Sequence, residues 1–497
     1  MASAAGQHRL STGITELDSI LGGGLTPSRS YLLEGTPGSG KTTIGLQFLL
    51  AGAAAGERGL YITLSETQAE LREVAASHGW DLSGIDLFEL VNLDGLAPEA
   101  EQSILEPSEV ELGETIAGVR EAVERTRPVR VVFDSLSEMR LLAQNSLRYR
   151  RQILALKQYF TLKNCTVLLL DDRSSDPSDL QLHSIAHGVI TLEQTVEDFG
   201  SERRRLRIVK MRSTRYSGGY HDFVINTGGV VIFPRLIAAD YHRAFQADLV
   251  STGVAALDQM LGGGVMLGTN TLLNGPSGVG KTTLAIRCAL SSIARGLRVA
   301  YFLFDEGRAT LLARAAAMGM DLEPHLASGA LSIKQIDPAE LSPGEFSNWV
   351  RGAVEDGARF VAIDSLNAFL QAMPGEKFLL LQMHELLSYL NQQGVQTMVI
   401  LGQHGLVGDV RSEVDLSYLS DTIILFRYFE AAGNVLKAIS IAKSRTTMHQ
   451  TSIREFQLTP DGIVVGEPLA NFEGVLTGLP TYRGRTPLLG AEPRAGD

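Results

Sequence analysis

The sequence is poor in the features that mark several large protein classes. Two cysteines among 497 residues, Cys165 and Cys288, lie in separate halves within apolar stretches. They read as buried thiols, which argues against a disulfide scaffold or a cysteine metal site. No apolar run approaches the roughly 20 residues of a membrane span, so no membrane crossing is expected. The opening MASAAGQHRL lacks the apolar core of a secretory leader, and the expected location is the cytoplasm. A basic surplus is missing too: 44 Lys and Arg stand against 56 Asp and Glu, a net charge of −12. Proteins that grip a phosphate backbone usually carry the opposite balance, so nucleic acid is not an expected partner. What remains is an ordinary globular composition, 44% hydrophobic and 20% charged. At about 150 residues per domain the length suggests roughly three domains, or two large ones.

The chain repeats itself. Residues 11–50 laid over 251–290 give 18 identities in 40 positions, with Ser-Thr-Gly, Leu-Asp, Leu-Gly-Gly-Gly and Gly-Lys-Thr-Thr in one register. An offset of 240 residues is a whole-domain duplication rather than a solenoid period of about 20–50 residues. The boundary is expected between 236 and 250, giving domains at 1–246 and 247–481. The stretch 482–497 holds Pro, Gly, Arg and Glu without periodicity and reads as a flexible tail.

Each half alternates short β-branched runs with longer amphipathic ones. Strands are expected at 30–34, 60–64, 129–134, 166–170 and 188–192, with helices at 42–55, 68–78, 113–126 and 146–162. The second half repeats the pattern, with strands at 271–273, 298–304, 359–364, 396–401 and 421–426. Its helices are expected at 282–294, 309–318, 344–356 and 378–392. Apolar strands alternating with helices predict an α/β protein: a mostly parallel sheet covered on both faces, built twice.

Both halves carry G-x-x-x-x-G-K-[ST] between an expected strand and an expected helix. One copy is Gly35-Thr36-Pro37-Gly38-Ser39-Gly40-Lys41-Thr42-Thr43. The other is Gly275-Pro276-Ser277-Gly278-Val279-Gly280-Lys281-Thr282-Thr283. The glycines let backbone N–H groups converge on phosphate oxygens at a helix N-terminus. Lys41 and Lys281 supply cations for the β- and γ-phosphates, and the Thr42 and Thr282 hydroxyls reach Mg²⁺. A second metal anchor is expected at the end of a neighbouring apolar strand. Asp134, 93 residues after Lys41, and Asp364, 83 after Lys281, fit it, the difference lying in an acidic insertion around 97–110. A lone strand-end Asp often merely caps the next helix, but recurrence in both halves favours the metal. ATP and Mg²⁺ are therefore the expected cofactors. The next acids, Glu66 after Ser65 and Glu306 after Asp305, are candidates to orient the attacking water.

These features resemble the KaiC family, the two-domain ATPases of the circadian clock within the RecA superfamily. The resemblance rests on the tandem P-loops, the Ser-Thr-Gly…Leu-Asp…Leu-Gly-Gly-Gly lead-in, the paired acids, and the stretches DTIILFRYFE (421–430) and SIREF (452–456). It covers residues 9 to about 480. It implies a RecA-like fold in each half, a double-ring hexamer with ATP between subunits, hydrolysis in the first ring and autophosphorylation in the second. It assigns Lys210 with Arg212, and Lys443 with Arg445, to the γ-phosphate of the neighbouring subunit. It makes Asp305 or Glu306 the base for a serine acceptor, Ser417, while Tyr418 stands where the family has a second acceptor. Ser65 replaces the leading carboxylate of the first-half pair, so slow hydrolysis is expected there. The tail supports no KaiA-type activator; a KaiB-like partner on the first ring is compatible.

The resulting expectation is an oligomeric ATPase with serine autokinase capacity, acting as a signalling or timing switch. A nucleic-acid motor of the wider RecA class is the alternative, drawing on Arg140, Arg148, Arg150 and Arg151, though the second half offers only Lys377 in the matching place. A third reading is a scaffold that keeps ATP as structural glue between subunits.

Overall fold

The computed structural model describes residues 8–90, 107–143, 145–173, 180–196, 200–371, 379–403, 418–431, 433–460, 462–477 and 481–482. Within these, the chain forms two compact units that divide between Arg235 and Leu236. The expected boundary at 246 thus falls inside the second unit. The intervening segment packs there because Ala238 N donates to Glu385 at 3.0 Å and Tyr241 stacks edge-on against Tyr389.

The strands of the first unit are β1 (Ser30–Gly35), β2 (Gly59–Thr63), β3 (Ile85–Glu89), β4 (Arg130–Asp134), β5 (Thr166–Asp172), β6 (Gly188–Thr195), β7 (Arg203–Met211), β8 (Tyr220–Asn226) and β9 (Gly229–Phe233). Its helices are α1 (Thr15–Ile20), α2 (Lys41–Ala54), α3 (Gln68–Ser77), α4 (Pro107–Thr126), α5 (Leu136–Ala143), α6 (Ser146–Leu162) and α7 (Leu180–Ile185). The sheet runs β3-β2-β4-β5-β1-β6-β7-β8-β9. It is parallel as far as β6 and then turns back on itself as an antiparallel meander. Central β1 is buried along its whole length, as a strand covered on both faces must be. One face carries α2, through Ile44, Phe48 and Leu49 among others; the other carries α5 and α6, through Leu136, Met139 and Ile153.

After a short hairpin of β10 (Leu249–Val250) and β11 (Val265–Met266) around α8 (Ala255–Met260), the second unit repeats the plan. Its strands are β12 (Asn270–Pro276), β13 (Arg298–Leu303), β14 (Leu331–Gln335), β15 (Ala358–Asp364), β16 (Gln396–Gln403), β17 (Thr422–Ala431), β18 (Asn434–Ser444), β19 (Arg454–Thr459) and β20 (Gly462–Pro468). The helices are α9 (Lys281–Ala294), α10 (Arg308–Ala317), α11 (Glu323–Ala327), α12 (Pro343–Glu355), α13 (Leu366–Gln371) and α14 (Leu379–Gln392). The order β14-β13-β15-β16-β12-β17-β18-β19-β20 matches the first sheet strand for strand. These are two RecA-like α/β domains, each with a nine-stranded, mostly parallel sheet between helices.

The repeated lead-in serves the fold. Asp18 accepts from Thr12 N and Thr12 Oγ1, both at 2.7 Å, closing the turn before α1. Asp258 does the same for Thr252 at 2.8 and 2.6 Å.

Candidate functional site

Each P-loop leaves the C-terminal end of the central strand, where open α/β sheets place their ligand crevice. Gly40 and Gly280 hold left-handed conformations, φ 99° and 118°, and neither gives its helix a side-chain cap. The first-turn N–H groups of α2 and α9 therefore point out of the helix with the positive end of its dipole, the arrangement that binds an anion. A Cβ at either glycine would run into the antiparallel strands behind the loop: Ile225 Cδ1 at 2.7 Å in the first unit, Phe456 Cε1 at 2.8 Å in the second. Ser39 Oγ, inside the first loop, is buried without a hydrogen-bond partner among the described residues, a polar atom a phosphate oxygen would satisfy.

The two lysines fold back over their loops. Lys41 Nζ donates to Gly35 O and Thr36 O at 3.0 Å each and pairs with Asp172 Oδ1 at 2.8 Å. Lys281 Nζ donates to Gly275 O and Pro276 O, both at 2.7 Å. Burial pulls the Lys281 ammonium down to about 8, against the opposing pull of Asp364 and Asp305.

Asp134 and Asp364 end the strands β4 and β15. Thr42 Oγ1 lies 3.5 Å from Asp134 Oδ2, and Thr282 hydrogen-bonds Asp364 in the same way. Burial raises both carboxyl pKa values above the ordinary aspartate value. A hydroxyl beside a desolvated carboxylate is a hard oxygen set that fits Mg²⁺, and the cation's charge would offset the cost of burial. Sequence reasoning missed the tyrosine behind each acid: Tyr61 OH donates to Asp134 Oδ2 at 2.5 Å, and Tyr301 OH to Asp364 Oδ2 at 2.7 Å. The signal was available, since the two tyrosines sit one duplication apart, in β2 and β13. The peptide bonds Asp134–Ser135 and Asp364–Ser365 are both cis.

The candidate water-orienting acids differ between the halves. Glu66 Oε2 is buried and unpartnered among the described residues. Burial raises the Glu66 pKa, and the charges of Asp134 and Glu70 add to the effect. In the second unit Ser365 Oγ donates to Asp305, while Glu306 is held by Arg314 at 2.6 Å. Asp305, Glu306, Lys281, Thr282 and Asp364 line one cleft of about 620 Å³.

Lys210 and Arg212, like Lys443 and Arg445, are not brought to the P-loop of their own unit. Val189 pairs with Lys210 and Gly188 with Met211, at the start of β6, whereas Gly35 pairs with Leu192. Thr271 pairs with Thr422, whose neighbour Ile423 faces Lys443, at the same end of the second sheet. Lys210 lies level with Leu32 and Lys443 with Leu272, three residues or about 10 Å back along the strand from Gly35 and Gly275, and Arg212 and Arg445 lie further toward that end. Lys210 Nζ donates to His183 O and Ala186 O, and burial lowers its pKa. Arg212 Nη2 donates to Ser184 O at 2.8 Å. The Arg445 side chain, 53% exposed, rests against Asp421 at 3.5 Å. Ser417 lies outside the described residues, as do 97–106 of the insertion and the tail beyond Tyr482.

Comparison with known proteins follows the same plan. The family model described as the KaiC ATPase matches residues 10–237 and 250–470. The circadian clock oscillator protein KaiC of Synechococcus elongatus is 30% identical over 488 residues, 95% of this chain and 92% of that protein. The circadian clock protein KaiC3 of a Synechocystis species is 28% identical over 484 residues, covering 96% of this chain and 95% of its own. KaiC of Parathermosynechococcus lividus is 28% identical over 497 residues, 97% and 90% of the two chains.

Proposed function

Because this chain belongs to the KaiC family of ATPases, we propose that it binds Mg-ATP at both P-loops and hydrolyses it where protomers of a ring, expected to be a hexamer, meet. The observation that carries the reading is the placement of Lys210, Arg212, Lys443 and Arg445 at the sheet end away from their own P-loops. Cations so placed cannot serve the phosphate of their own unit, yet the end of a sheet can face the P-loop end of a copy. In that arrangement one protomer supplies Lys281, Thr282 and Asp364, and its neighbour supplies Lys443 and Arg445 to the γ-phosphate, where charge develops during transfer. Mg²⁺ supplies Lewis-acid stabilisation of the phosphate oxygens. Thr42 with Asp134, and Thr282 with Asp364, would hold it.

Within each site, Glu66 and Asp305 are the groups placed to hold a water or hydroxyl proton. In the second unit this reading extends to serine autophosphorylation, with Asp305 as base and Ser417 as acceptor. Glu306, tied to Arg314, keeps the other wall of the cleft in place. The protein then acts in the cytoplasm as a signalling or timing switch, with a KaiB-like protein as a partner on the first ring. Sizing the chain with and without Mg-ATP, then weighing it intact, tests the reading. A nucleotide-dependent oligomer whose added phosphate disappears in Ser417→Ala supports it. A monomer in saturating Mg-ATP sinks the assembly, and unchanged labelling in that variant removes Ser417 as acceptor.

A further inference from the structure

The two P-loop lysines are held differently, and the difference traces to one position in the sheet. In the first unit Gly35 pairs with Asp172; in the second, the corresponding Gly275 pairs with Gly402. Asp172 Oδ1 takes a hydrogen bond from Lys41 at 2.8 Å, so with Gly35 O and Thr36 O all three donors of that ammonium are engaged. Asp172 is itself held: its N–H donates to Ser137 Oγ at 3.0 Å, and that hydroxyl lies 3.1 Å from the buried Asp171, which Arg140 grips at 2.7 Å. Ser137 and Arg140 both belong to α5, directly after the metal-binding aspartate.

The carboxylate and the grip on its neighbour do not recur at the second site, although the backbone contacts do. Asn367 stands in place of Ser137, and its Nδ2 donates to Gly402 O at 3.0 Å while its Oδ1 accepts from Gly402 N. Leu370 stands in place of Arg140 and Leu401 in place of Asp171. A Cβ at Gly402 would lie 3.2 Å from Asn367 Oδ1, so the glycine leaves room for that amide and puts no carboxylate beside Lys281.

We propose that Asp172 is a positioning residue for Lys41 that weakens triphosphate binding at the first site relative to the second. The inference rests on both P-loops binding ATP. A triphosphate entering the first site competes with Asp172 for the same ammonium and is repelled by the carboxylate at the same time; at the second site, among the described residues, no carboxylate hydrogen-bonds the ammonium, and Asp305 and Asp364 act on it through their charge alone. Because the pair is partly solvated, the effect is a tuning of affinity rather than a block.

The test uses the full chain in a Lys281→Ala background, so that only the first site reports, with Mg-ATP affinity and turnover measured together. Asp172→Asn is expected to tighten binding about fivefold or more while turnover at saturation persists, and Asp172→Glu to stay near the parent. The gain should shrink as salt screens the carboxylate. Unchanged or weaker binding in Asp172→Asn overturns the proposal. So does lost turnover at unchanged affinity, which would make Asp172 a group acting on the reacting atoms. If the parent itself binds no Mg-ATP, or Lys41→Ala binds it equally well, ATP binding at the first P-loop has failed instead.

Discussion

At the scale of single residues, the two sites titrate in opposite directions. Lys281 is charged only below about pH 8 in the free protein. A bound triphosphate favours the ammonium, so above that pH binding must take up a proton. Mg-ATP affinity at the second site should be flat near neutrality and fall by up to about tenfold per pH unit above 8, as equilibrium binding would show. Glu66 runs the other way. Its carboxyl pKa is raised by burial, so the carboxylate proposed to orient water is lost as pH falls, at a higher pH than for an ordinary glutamate. First-site turnover should drop on that limb, and Glu66→Gln should abolish it at every pH with affinity retained. The P-loops, Glu66 and Glu306 stood out in the sequence because their spacing is local or repeats at the duplication offset, and Asp134 and Asp364 because each ends an apolar strand run before a serine. Asp172 could not be assigned in this way: its role depends on which strands become neighbours, as β5 does to β1.

At the scale of elements, periodicity located five parallel strands in each half and the longer helices between them, and missed the parallel edge strands β3 and β14 and the antiparallel meander in both halves. The reason is compositional. Strand β7 reads RRRLRIVKM, and its charges mimic a solvated basic edge, while β19 alternates too briefly to stand out. Yet these strands support the nucleotide loop from behind. Phe223 and Ile225 lie beneath Gly40, and Phe456 and Leu458 beneath Gly280. Phe456 is also buried and stacks edge-on against Phe426 at 5.2 Å. Phe456→Ala should cost about 3–5 kcal/mol, lowering the unfolding midpoint of the second unit while leaving that of the first. It should also weaken Mg-ATP at the second P-loop, whose tight αL turn loses its backing. Denaturant unfolding followed by binding on the same sample checks both.

At the scale of the whole molecule, the duplication was legible because the same motifs recur in one register, whereas the junction was not. Residues 236–246 carry no strong pattern, and only contacts such as Tyr241 with Tyr389 assign them to the second unit. The largest prediction follows from the cations at the far sheet ends. In the proposed ring, a second-unit site needs Lys281 from one protomer and Arg445 from the next. Lys281→Ala and Arg445→Ala should each be inactive at that site alone. Reassembled as an equal mixture, they should recover about one quarter of the second-site activity by random assortment. Mixing that restores nothing would mean that both residues act within one chain.

A patch that differs from the patch it contacts cannot pair off symmetrically, so two copies always leave one socket and one plug unused. Association of this kind stops only when the last copy meets the first, and otherwise grows as an open fibre. A mutant lacking Arg445 would then keep a perfect pocket of its own and spoil the one next door, so each defective copy would silence one site that belongs to a neighbour.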